Sequence, residues 1–538
     1  MDINNFAGNI GETQLPSRVQ TAFCDKVVTT EVAQDFVLPD YQPEMRKLLR
    51  VVPSILPPSR FLGAGEAEFA GGVTFDVLYV GGDGALYTAE LSAPYSFRVP
   101  MEGDERFSGN ESVQVNAEIT PDTVITRVSA PRKLNIKCRL RARVVGLCDE
   151  EVDMTVVGER AGSETLEKLE RVRFCGRSVC ATGEALELAD EITIPAGDGE
   201  PRLIGNSGVV QILEATPSED GVFCRGELTW KAMVTRDRVS EDGSTAGTGE
   251  VEIMTRRISF TQVVELPMRI AGECEAVAHG ICTGITARIE GDRIYATATM
   301  VLEVQAQGSD KVTFVCDCYS TAREGTCEMR RFDYSRALTC INGNVSESGA
   351  VDLTEAGIPL GAVPLDICAS ATPTGIICER GRSTLGGECH YQLLYRTLEG
   401  EFGNTEFTLP LRYELPVELC REIDPDTPFG VSAQMDLLSA RARPEGDGFT
   451  IDAEWSICAR VFMPSSIESV SEARFDAPHA VPRASYTLCY PSDSESLWSI
   501  AKRYHAPLRP LASLNNLPGS SDPASAGSLE GVRFLMIG

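Results

Sequence analysis

The chain has 538 residues, 43% of them apolar, which is enough to fill the cores of several domains. Its 49 basic and 78 acidic residues leave a net charge of −29. A polyanion is repelled by nucleic acid and by anionic membrane surfaces, so neither is expected as a partner, and no stretch reaches the roughly 20 apolar residues of a membrane span.

Residues 1–30 form an N-terminal segment that opens MDINNFAGNIGETQLP, without the basic patch and apolar run of an export signal. A cytoplasmic protein is expected on that ground. The 18 cysteines sit in apolar strand patterns such as Ile136-Lys137-Cys138 and Ile457-Cys458, and they read as reduced thiols packed like small hydrophobes.

From residue 31 onward the pattern is β and it repeats. Leu134–Val144 alternates apolar and polar residues, as a strand with one buried face does, and similar strands recur at Ile294–Val304 and Ile451–Val461, about 160 residues apart. Earlier landmarks recur too: Thr74–Tyr79 resembles His390–Tyr395, with Leu228–Val234 at the matching place of the middle copy. Three tandem units of β-sandwich or open-barrel type are predicted over 31–148, 186–309 and 346–463, strung on linkers at 149–185, 310–345 and 464–485. Turn signals such as Gly81-Gly82-Asp83-Gly84 separate the strands, and the middle copy has a longer hairpin at 241–249.

Nothing in these units reads as catalytic, cofactor-binding or metal-binding, so an enzyme is not expected. The four histidines have no second ligand at metal spacing, and the glycine-rich turns lack the lysine and helix of a phosphate loop. Cys316-Asp317-Cys318 reads as two cysteines on one strand face, and the acids of 149–153 read as a solvated linker. Lys133, Lys137, Arg139, Arg141 and Arg143 make a basic row, either a docking stripe for an acidic partner or half of a set of cross-strand ion pairs.

The tail, 486–538, is different. It carries four acids and four bases, so the charge deficit belongs wholly to the rest of the chain. Tyr486–Tyr490 is strand-like. Leu497, Ile500, Ala501 and Tyr504 then fall on one helical stripe, capped by Ser494 or Ser496. A second helix is expected from about Pro510, with Leu511 and Leu514 in the core, Asn515-Asn516 ending it and a strand over 532–537 closing the module. Trp498 lies off the centre of the stripe, either lapping a strand or anchoring an interface.

This strand–helix–helix–strand order, with SLWSIAKRY and LASLNNL in these places, resembles a LysM domain. Leu38-Pro39-Asp40 with Pro43, followed by Gly72, Phe75, Tyr79 and Val80, resembles the opening of the SPOCS domain, with weaker counterparts at Ile194-Pro195 and Ile358-Pro359. Repeats of SPOCS type followed by a C-terminal LysM domain resemble the SipL-like family of clostridial spore-coat morphogenetic proteins. The fold implied is mainly β, with a small α+β (βααβ) LysM domain at the end.

The function implied is a non-enzymatic adaptor at the forespore surface of the mother cell. Its LysM domain would bind the stage IV sporulation protein A ATPase, and its body other coat proteins. The residues assigned to the partner on this resemblance are Ser494, Glu495, Ser496, Trp498, Lys502, Arg503, Asn515 and Asn516. The alternative is binding of peptidoglycan or other N-acetylglucosamine glycans. Ser494-Glu495-Ser496 replaces the family's usual Gly-Asp-Thr, which adds a side chain where bare backbone would meet a sugar.

Overall fold

The computed structural model describes residues 17–63, 65–101, 113–157, 166–219, 221–239, 245–246, 250–270, 272–379, 382–415, 430–445, 448–478, 486–492, 495–517, 529 and 532–538. It is mainly β, and its two helices among the described residues are both short and both in the tail. No helix among those residues is long and apolar enough to cross a membrane.

The first part contains β1 (Arg18–Val37), β2 (Met45–Ile55), β3 (Ser59–Gly63), β4 (Glu66–Gly81), β5 (Leu86–Pro100), β6 (Gln114–Ala130), β7 (Lys133–Glu151) and β8 (Thr155–Val157). β7 is the middle strand of the antiparallel order β1-β7-β6, and β4 pairs β2 and β3 on one side and β5 on the other. Alternation in the sequence decides which face packs. Leu134, Ile136, Cys138 and Leu140 are buried against Phe75, Val77 and Tyr79 of β4, while the residues between them face out. The outward row is the basic one. Arg139 pairs with Asp122 of β6 at 2.5 Å and Arg143 with Asp25 of β1 at 2.9 Å, so these two arginines take up neighbouring-strand acids.

The second part contains β9 (Leu166–Thr182), β10 (Leu186–Thr193), β11 (Glu200–Pro217), β12 (Gly221–Val239), β13 (Thr245–Ala246), β14 (Val251–Glu265), β15 (Cys274–Glu290) and β16 (Arg293–Ser320). β16 is central in β10-β16-β15, and β12 lies between β11 and β14. Leu228 on β12 packs against Ala298, Met300 and Leu302 on β16.

The third part contains β17 (Arg323–Asp352), β18 (Val363–Glu379), β19 (Arg382–Arg396), β20 (Phe402–Glu414), β21 (Gly430–Glu445) and β22 (Gly448–Pro478). Here β22 lies between β17 and β21, and β19 between β18 and β20, with a bridge at Ser370 and Asp436 joining the two sets. Tyr391 and Trp455 meet edge to face in its core. Leu38, Ile194 and Ile358 are all buried. The first two donate their N–H to the turns before β7 and β16, Leu38 to Arg132 O at 2.9 Å and Ile194 to Asp292 O at 2.7 Å.

The three parts are not strung out as the sequence suggested; they meet at a hub. Leu49, Leu78 and Leu86 from the first, Ile204 and Met233 from the second, and Leu394 and Phe402 from the third form one buried cluster. Beside it the carboxylate of Asp366 (β18) receives Arg50 (β2) at 2.5 Å and Lys231 (β12) at 2.8 Å, and its side chain is 4% exposed. Those two cations hold the Asp366 carboxyl below the usual carboxylate range despite burial, which works in the opposite direction.

The expected linkers are also strands. β9 occupies 166–182 of the 149–185 stretch and pairs the second half of β16, and β17 pairs the second half of β22 along 464–478, so 310–345 and the described part of 464–485 are almost wholly sheet. Together with Val19 and Val152 they enclose a further core of Cys175, Val312, Phe314, Phe332, Tyr334 and Ile467. Gly176 of β9 passes so close to the carbonyl of Ser335 that a Cβ there would overlap it. Burial also overturns the reading of Asp149 and Glu150 as part of a solvated linker, while Glu151 and Asp153 are exposed. Asp149 pairs with Arg177 at 3.1 Å and Glu150 with Arg330, both acids on β7 with side chains 7% and 8% exposed.

Candidate partner-binding site

The tail folds as β23 (Thr487–Cys489), α1 (Leu497–Arg503), α2 (Leu508–Leu514) and β24 (Leu535–Ile537), with β23 and β24 antiparallel. α1 starts where a hydroxyl can cap it. Ser496 Oγ accepts the backbone N–H of Ser499 at 3.1 Å, and Ser499 Oγ accepts that of Ser496 at 3.0 Å, a reciprocal capping box. α2 begins at Leu508 rather than Pro510. Proline is tolerated inside this first turn because its missing N–H would have had no helical partner. Asn515 caps α2, and Asn516 takes a left-handed φ of 51° that turns the chain out of it.

Leu497, Ile500, Ala501 and Leu511 are buried between the helices and the small sheet, with Tyr504 packed at the edge. Leu514, expected in this core, is 39% exposed, because the last turn of α2 projects past the sheet beside Gly538. Asn515 is structural. Its Nδ2 donates to the carbonyls of Leu511 and Met536 at 2.9 and 2.7 Å, and its Oδ1 accepts Met536 N–H at 2.6 Å.

The residues assigned to a partner divide sharply. Ser494 lies outside the described residues. Glu495 accepts Ser492 N–H at 3.1 Å and pairs with Arg503 at 2.5 Å; that backbone hydrogen bond, with Arg503 beside it, holds its carboxyl below the usual range. Trp498 and Lys502 face the body of their own chain. Trp498 is 6% exposed, meets Tyr319 of β16 edge to face at 5.0 Å, and donates Nε1–H to Asp317 Oδ2 at 2.8 Å. Lys502 pairs with the other oxygen of Asp317 at 2.5 Å.

Around them Tyr319 donates its hydroxyl to Ala506 O at 2.7 Å, His505 Nδ1 donates to Ser320 O at 2.7 Å, and Leu508 N–H reaches Glu167 of β9 at 3.3 Å. The tail is therefore docked on the β16–β17 turn, and Trp498 and Lys502 are spent on that docking. Tail periodicity alone did not show this, because the receiving residues lie from 181 to 341 positions earlier in the sequence.

A different surface of the tail is open. On β23, β24 and their flanks Cys489, Leu535 and Ile537 point into the core, while Tyr486, Leu488, Tyr490, Phe534 and Met536 point outward, from 36% to 70% exposed. Tyr490 and Phe534 lie 6.5 Å apart across the strands. Five large apolar side chains on one face of a two-stranded sheet are more than scattered surface hydrophobics. The signal was in the sequence: apart from Thr487, both faces of Tyr486–Tyr490 and of Phe534–Ile537 are apolar, where a half-buried strand has one polar face.

Comparison with protein-family models, with curated proteins and with solved structures returned no match.

Proposed function

We propose that the chain is a non-enzymatic adaptor in spore-coat assembly, built of three SPOCS-like β-sandwiches and a LysM-like tail, and that the tail binds a protein partner through its outer sheet face. The observation that carries this reading is that face, Tyr486, Leu488, Tyr490, Phe534 and Met536, exposed together on the described part of the tail. Aromatic anchors of this kind dominate protein interfaces. The recurrence of β7, β16 and β22 as middle strands supports the three-unit reading. Two helices that lie between β23 and β24 in sequence and pack on the sheet these strands form support the LysM reading.

On the family resemblance the partner is a polymerising ATPase of the stage IV sporulation protein A type, with coat proteins on the body. A polymer offers many copies of one site, so modest affinity per tail suffices for retention. The test is a titration of the full chain against that purified ATPase and, separately, against peptidoglycan fragments. Leu488→Asp with Tyr490→Ser alters only exposed side chains and is expected to weaken ATPase binding by about thirtyfold or more, the effect of losing ~2 kcal/mol. Undiminished ATPase binding by this variant, or binding of peptidoglycan alone by the parent chain, would replace the reading with the glycan alternative or with another surface.

A further inference from the structure

The turn that receives the tail holds two thiols in contact. Cys318, the last cysteine of β16, and Cys327 of β17 place their Sγ atoms 3.2 Å apart, and Cys327 Sγ also lies 3.5 Å from the carbonyl oxygen of Cys318. Cys316 is not part of the pair, although the sequence placed it on the same strand face as Cys318. A β-bulge leaves Cys316 without a partner residue on β9 and turns it toward the core around Phe314, while Cys318 points between the sheets with Val315, Val470 and Phe475.

Cys318 is buried, and Cys327 is half-buried and so open to a small reagent. Each thiol has a distinct role. The contact between the two sulfurs, with Lys502 nearby, draws the Cys327 thiol down to about 7 against burial; the same contact and burial push Cys318 up. The residues on either side of Cys318, Asp317 and Tyr319, are the two that grip Trp498.

We propose that Cys318 and Cys327 are a modification site, a dithiol that a low-molecular-weight disulfide converts to an intrachain cystine, and that the cystine fixes the turn on which the tail docks. The Cys327 thiolate attacks one sulfur of the reagent RSSR, forming a mixed disulfide and releasing RS⁻. Cys318 then loses its proton to solvent, attacks the Cys327 sulfur and expels the second RS⁻. Two protein thiols are oxidised by two electrons and one disulfide is reduced to two thiols. Bringing the sulfurs from contact to bonding distance takes a shift of about 1 Å, within the reach of side-chain rotation.

The experiment exposes the full native chain to glutathione disulfide, quenches with acid at intervals, alkylates the remaining thiols and maps the cysteines by peptide mass spectrometry. The Cys318–Cys327 cystine is expected to be the first product among the described cysteines, forming about tenfold or more faster than modification of the others, as befits a thiol held near neutral pKa. Acrylamide quenching of Trp498 is expected to be lower in the oxidised chain than in the reduced one. Cys318→Ser is expected to stop at a stable glutathione adduct on Cys327, and Cys327→Ser to leave Cys318 unmodified. A persistent glutathione adduct on Cys327 of the parent chain, reaction no faster than at the buried thiols, or quenching unchanged by the cystine would each overturn the proposal. The time course on the parent chain decides the chemistry even if a serine variant fails to fold.

Discussion

Asp317→Ala removes one carboxylate that serves two tail residues. Its Oδ2 accepts the Trp498 indole N–H at 2.8 Å, and its Oδ1 pairs with Lys502 at 2.5 Å. A hydrogen bond to a charged acceptor in a largely enclosed position contributes about 1.5 to 3 kcal/mol. The ion pair adds little, below ~1 kcal/mol, because the Lys502 and Asp317 side chains are 43% and 29% exposed and water screens them. The loss expected is therefore about 2 to 4 kcal/mol of docking free energy, an increase in the undocked fraction of roughly thirtyfold to a thousandfold.

The chain reports this directly. Of its three tryptophans, Trp230 and Trp455 are fully enclosed between sheets at 0% exposure, so only Trp498 becomes accessible when the tail lets go. Acrylamide quenching of tryptophan fluorescence is expected to rise in Asp317→Ala, with a red-shifted emission, while the far-ultraviolet signal of the sheets stays constant. Quenching equal to the parent chain would refute the docking energetics, and a collapse of the sheet signal would show that Asp317 supports the body rather than the tail.

Three further outcomes follow from particular contacts. Leu497→Ala opens a cavity in the tail core and is expected to cost about 2 to 5 kcal/mol, read as faster hydrogen exchange across 486–537 in the full chain. Asp366→Ala leaves Arg50 and Lys231 buried without their acid and is expected to cost about 3 to 5 kcal/mol in chemical denaturation. Because the Asp366 carboxyl is held low in the folded chain, its stabilisation is fully present above the ordinary aspartate range and is lost as pH falls through the lower folded value; acid titration of the parent against the variant reads the difference. The cysteines are expected to be free in protein taken from cells under acid quench and alkylated after denaturation, apart from any cystine at Cys318 and Cys327; widespread blocked thiols would contradict that.

The mainly-β class was legible because period-two alternation is imposed by the backbone itself. The run Leu134-Asn135-Ile136-Lys137-Cys138 can bury only one set of side chains, and it does. The tail helices were legible for the matching reason, with Ser496 and Asn515 marking their ends. What stayed hidden was long-range. Asp366, Arg50 and Lys231 carry no sign of one another in the sequence, yet they join three parts of the chain beside the apolar hub. The strands of 310–345 were taken for linkers because their alternation is broken by bulges and by polar residues such as Glu328, Arg330 and Arg331, whose partners lie on β22 and β7. Trp498 was ambiguous between core and interface because helical position fixes the direction of a side chain, not what waits there. The answer depended on Asp317 and Tyr319 lying on a separate sheet.

The most direct measurement is made in sporulating cells that lack the native protein and express a fluorescent fusion of either the full chain or the Leu488→Asp, Tyr490→Ser variant. The parent fusion is expected to encircle the forespore and the variant to remain diffuse in the mother cell at equal abundance. Equal rings from both fusions would contradict a tether through the outer face of β23 and β24, and a parent fusion that never reaches the forespore would contradict the adaptor reading itself.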